Sequence, residues 1–199
     1  MSVIRLKAKR ARPMPTPVSE ARSVHAWCAW GVVAPSATTA AAMEGLLRRG
    51  ICTKAAQQWL SRKPAGGTSR DQLLAEVSER LEECPSPDTE WQSVREVLDD
   101  DLLAGLLAIS QVSLRRYAKG ERPCPDLTAV RLHWLALVIE QLEGTYNAWG
   151  IRRWFQRPRA ALDGQALLDR LQGPWDPDDN AIQPIFSLAQ SASFGMVAS

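Results

Sequence analysis

The chain has 199 residues, with 24 Lys and Arg against 22 Asp and Glu, so the formal net charge is only +2. Hydrophobic residues make up 45% of it, enough to build a core, and no apolar run approaches the roughly 18 residues that would cross a membrane. Four cysteines (Cys28, Cys52, Cys84, Cys124) stand far apart, which excludes a disulfide scaffold or a zinc ribbon and fits a reducing cytoplasm.

The near-neutral total conceals segregation. Residues 1–22 hold six basic side chains and one acid, whereas residues 70–101 hold eleven acids and three bases. Residues 111–160 return to nine bases against four acids. Basic and acidic blocks of this kind point to surfaces with different partners.

In chain order, residues 1–36 read as a basic, disordered arm, because Pro13, Pro15 and Pro17 interrupt a stretch without apolar periodicity. The apolar run Val24–Ala34 carries His25 and Gly31 and lacks the leucine-rich centre of a cleaved signal. From Thr38 onward the pattern is helical: Met43, Leu46 and Leu47 share a face, and Thr53 is placed to cap a helix carrying Trp59 and Leu60. Ser69 with Gln72 forms a capping box before Leu73, Leu74, Val77 and Leu81. Trp91, Val94, Val97 and Leu98 mark the next helix. Asp126 is read as the cap of a long helix through Leu142, and Trp149, Trp154 and Phe155 fall on another that stops before Pro158. Asp163 or Gly164 starts a short helix with Leu167, Leu168 and Leu171, and a last one tolerates Pro184 only in its first turn. No alternating strand pair is evident. The fold class is all-α.

Residues 101–123, DLLAGLLAISQVSLRRYAKGERP, predict two helices joined by a tight turn. Ser110 caps the second, Leu114 and Tyr117 point inward, and Gly120 ends it. The expected outer face carries Gln111, Ser113, Arg115, Arg116 and Lys119, with Arg122 just beyond. Gln can pair bidentately with adenine and Arg with guanine, while Lys119 and Arg122 suit phosphates. Together with Ser110 these are the candidate DNA-contacting residues.

Residues 149–171, WGIRRWFQRPRAALDGQALLDRL, place Trp154, Phe155, Pro158, Leu162, Gly164, Leu167, Leu168 and Leu171 at distinctive spacings. This segment resembles the Xre/MbcA/ParS antitoxin family, whose toxin-binding domain follows an Xre-like helix-turn-helix and a long helix. The chain departs from the pattern at Ala166, where a proline is usual, at Phe155 in place of leucine, and at Pro184. The resemblance implies residues 37–144 as a helical domain with an Xre-like helix-turn-helix at about 101–123, and 145–199 as a toxin-binding domain and tail. It implies an antitoxin that neutralises a cognate RES-domain toxin, an NAD-depleting enzyme, by direct binding, and that autoregulates its operon by binding its own operator DNA. The expected protein is cytoplasmic and a homodimer or part of a larger toxin–antitoxin assembly, with no membrane partner.

Large apolar residues at helical spacing are core by default, so the expected toxin-binding surface is Arg152, Arg153, Arg157 and Arg159. The tail AQSASFGMVAS is expected to be flexible, with Phe194 as an anchor that could enter a narrow pocket. His25 and Cys28 make at most half a metal site, and no phosphate loop or nucleophile set stands out. No cofactor, metal or catalytic residue is assigned, and an enzyme is not expected. The alternatives are a free-standing Xre-like regulator without a toxin, and a structural or adaptor protein with the same fold.

Overall fold

The computed structural model describes residues 20–34, 37–61 and 67–194, apart from the side chains of Ala21, Ser193 and Phe194. Among the described residues there are helices and connecting segments and no strand. The chain divides into two compact units, one ending at Pro85 and the other beginning at Ser86. No helix among the described residues is long and apolar enough to cross a membrane.

The first unit contains α1 (Glu20–Ala29), α2 (Thr39–Arg48), α3 (Thr53–Leu60) and α4 (Arg70–Glu83). Its core is built on Trp27, Met43, Leu46, Trp59, Leu73, Leu74 and Val77. Each such side chain contributes about 1.5–3 kcal/mol by leaving water. Trp27 is 0% exposed, and its indole N–H donates to Ser78 Oγ at 3.2 Å, which ties α1 to α4. The expectation of a disordered arm through residue 36 is therefore corrected over Glu20–Ala34. Trp27 and Trp30 supply the buried area that the helix needs, although two aromatic residues three apart make only a faint periodic signal. Residues 1–19 lie outside the described residues.

The second unit is arranged around α8 (Asp126–Leu142), in which twelve of 17 residues are buried. A helix apolar on every side must lie inside, and α5 (Pro87–Val97), α6 (Asp100–Leu107) and α11 (Gln183–Phe194) pack against it. The remaining helices are α7 (Gln111–Ala118), α9 (Ala148–Gln156) and the short α10 (Leu167–Arg170), with one 3-10 turn at Ala160–Leu162. Burying α8 this fully takes His133 and Arg131 inside, and both have partners. His133 Nδ1 lies 2.6 Å from Glu90 Oε1 of α5, with both side chains about 1% exposed. The same Glu90 oxygen accepts from the Ser86 N–H at 3.1 Å. Arg131 donates to the Trp175 carbonyl at 2.7 Å and to the Leu107 carbonyl at 3.1 Å.

The capping box of Ser69 and Gln72 forms as its sequence predicts, and Pro184 sits in the first turn of α11. Three helix starts and the tail differ from expectation. Cys52, left-handed with φ 48°, precedes α3, so Thr53 is its first helical residue and not its cap. Pro125 occupies the cap position of α8, and Asp126 acts in the first turn, where its charge favours the helix dipole. Asp163 and Gly164, with φ of 56° and 79°, form a turn that delays α10 until Ala166 caps it. The tail is not flexible as far as Phe194, because α11 continues through that residue and Ala189 is fully buried.

Candidate nucleic-acid interface

The α6–α7 pair begins with the acidic triplet. Asp99 caps α6, its carboxylate accepting the Leu102 N–H at 2.8 Å. Leu102, Leu103, Leu106 and Leu107 then bury the inner face. The helix stops because Ala108 turns left-handed, with φ 54° and ψ 43°, a conformation that costs a non-glycine residue roughly 1–2 kcal/mol. Ser110 restarts the chain as the cap of α7, its Oγ accepting the Ser113 N–H at 3.1 Å. Leu114 and Tyr117 hold α7 by its inner side, and Tyr117 stacks on Trp91 with ring centroids 6.4 Å apart. Gly120 at φ 69° then releases the chain.

This packing turns the predicted polar residues outward, but not equally. Gln111, Arg115, Arg116, Lys119 and Arg122 are exposed, while Ser113 is half-buried and bonded to Ser110. Arg115 donates to Asp100 Oδ2 at 3.1 Å and to Gln111 Oε1 at 3.2 Å. The Gln111 amide donates in turn to Asp101. Asp100 also accepts from Arg95 Nε at 2.8 Å. The hydrogen bond from Arg95, then that from Arg115, holds the Asp100 carboxyl below the usual carboxylate range. Gln111 and Arg115 are thus pinned from behind by two carboxylates of α6.

Arg116 lies clear of this network. Lys119 Nζ is 3.8 Å from Glu121, an exposed pair of little strength. The Arg122 guanidinium lies 5.8 Å from the Tyr117 ring centroid. Val112 is missing from the expected outer face and stands 58% exposed on the first turn of α7. With Leu114 and Tyr117 inward, helical spacing already turns it outward, one turn before Arg116; an expectation confined to polar residues passes over it.

The end of α6 is supported from the C-terminal side. Arg131 reaches the Leu107 carbonyl, Trp175 Nε1 donates to the Leu106 carbonyl at 2.8 Å, and the Arg131 guanidinium lies 5.1 Å from the Trp175 ring. Burial lowers the Arg131 pKa, though not far enough to discharge a guanidinium. These bonds satisfy carbonyls that a helix end leaves open. Arg131 and Trp175 were absent from the sequence-predicted set because 44 residues separate them.

The four arginines expected on the toxin-binding surface divide into pairs. Arg152 donates to the Val97 carbonyl at 2.7 Å, tying α9 to the end of α5. Arg159 stacks over Trp154 at 4.5 Å, and burial lowers its pKa. Both are half-buried and committed to the fold. Arg153 and Arg157 are exposed, with Arg153 lying 5.6 Å from the Trp149 ring. Trp149, 64% exposed, completes a small surface of aromatic and guanidinium groups. Trp154, Phe155, Leu162, Leu167 and Leu171 are buried. The side chain of Phe194 lies outside the described residues, so its place as an anchor is not described.

No known family model, curated protein or solved structure matches the chain.

Proposed function

We propose that the chain is a DNA-binding antitoxin: α6 and α7 act as a helix-turn-helix on operator DNA, and the Trp149–Leu171 segment docks a RES-type toxin that depletes NAD. The observation that carries the DNA part is the division of α7. Leu114 and Tyr117 anchor one side while Arg116 stands exposed on the other, with Lys119 at the helix end and Arg122 just beyond it also exposed. A capped helix presented in this way suits major-groove entry, with Arg for base edges and Lys for phosphate. The toxin part is supported by the resemblance of residues 149–171, and by Trp149 and Arg153, residue types that dominate binding energy at protein interfaces.

Coexpression with a RES-domain protein encoded beside it tests the pair of roles. The two should co-purify, cellular NAD should recover, and the duplex upstream of the coding sequence should be protected by the complex. Protection of DNA without any effect on NAD or any complex would favour the free-standing regulator. The commitment of Arg152 and Arg159 to internal partners speaks for that second reading, since it shrinks the surface left for a toxin.

A further inference from the structure

We propose that Val112 is a specificity determinant that reads the 5-methyl group of a thymine in the major groove. The inference rests on the helix-turn-helix reading of α7 and adds a residue to it. Base edges are read by residues near the start of a recognition helix, and Val112 is the second residue of α7. Its two neighbours on the polar side, Gln111 and Arg115, are already bonded to Asp101 and Asp100. What the first turn offers freely is therefore an exposed isopropyl group, followed one turn later on the same face by Arg116.

The chemistry is specific. The thymine methyl is the one apolar group on a major-groove base edge, and apolar side chains recognise it by contact. Arg116 pairs best with guanine O6 and N7. Residues four apart are displaced by about 6 Å along the helix, so the thymine falls within about two base pairs of that guanine.

The test begins with sequences that the full-length protein selects from a random-sequence duplex DNA pool at moderate salt. Each thymine of the selected site is then replaced singly by deoxyuridine, which lacks only the methyl group. One replacement should weaken wild-type binding about fourfold, the worth of one buried methyl group. Val112→Ala should bind the thymine duplex about as weakly, and should lose nothing further with deoxyuridine at that position. Val112→Thr, which keeps one methyl, should retain part of the sensitivity. Because Val112 is exposed, all three proteins should melt alike, so differences in binding report the contact. Equal deoxyuridine penalties for wild type and Val112→Ala at every position would overturn the proposal while leaving DNA recognition intact. Failure of the wild type to select any sequence would remove the helix-turn-helix reading and the proposal with it.

Discussion

Arg116 and Lys119 lie three residues apart on the exposed side of α7, yet the physical chemistry assigns them different effects. Arg116→Ala should cost about 1–3 kcal/mol on the selected sequence and little on random duplex, since a bidentate base contact is lost. Lys119→Ala should weaken both DNAs similarly and lower the slope of log affinity against log salt by about one. Titrating both variants against both duplexes checks this, and equal effects of the two substitutions would remove the distinction. Behind this face, Asp100 has a folded pKa held below the ordinary value of about 3.9 by Arg95 and Arg115. A lowered folded pKa contributes stability that is fully present above the ordinary value and is lost as pH falls through the folded one. The difference in melting between wild type and Asp100→Asn should therefore stay constant from neutral pH to about pH 4 and shrink below it. Elsewhere, burial pushes the Cys124 thiol up to about 12. It should be alkylated far more slowly at pH 8 than an unhindered thiol, a rate that mass spectrometry follows directly.

At the scale of elements, the turn between α6 and α7 combines a strained residue with a cap, and the two can be separated by mutation. Ala108 is left-handed and exposed, so Ala108→Gly should relieve backbone strain and raise stability by about 0.5–1 kcal/mol after the greater entropy of unfolded glycine is counted. Ser110→Ala removes the α7 cap and should cost about 1 kcal/mol. Arg131→Met should cost about 2–3 kcal/mol because it strands two buried carbonyls, those of Leu107 and Trp175. Chemical denaturation of the three variants would rank them in that order.

The same elements mark how much was legible beforehand. Ser110, Leu114, Tyr117 and Gly120 carry local signals, of capping, periodicity and left-handed backbone, and these act within one turn of chain. The role of Arg131 depends on Trp175, and that of Glu90 on His133 43 residues away; no local pattern encodes such pairs. Cys52 and Pro125 hold the cap positions of α3 and α8 without a side-chain cap bond, so the expected caps Thr53 and Asp126 fall one residue inside the helices. Arg152 read as surface because arginines usually are, whereas its reach to the Val97 carbonyl depends on how α9 meets α5.

On the scale of the whole chain, the two compact units carry different electrostatic loads. The first holds 13 Lys and Arg against 7 Asp and Glu and the second 11 against 15, so the exposed Arg116, Lys119, Arg153 and Arg157 are local basic patches on a unit of net negative charge. In the proposed reading the basic side chains of residues 1–19 are a separate, sequence-independent source of affinity for a duplex. Removing those residues should weaken binding most at low salt, as counterion release requires. The central claim is that α7 carries the contact with DNA. It is tested most directly by the affinity of wild type and of the Arg116→Ala, Lys119→Ala, Arg122→Ala triple variant for the upstream duplex across a salt series. Loss of most of the affinity and a salt slope lower by about two to three, with melting unchanged, is the predicted result. Equal affinities and equal slopes for the two proteins would contradict it.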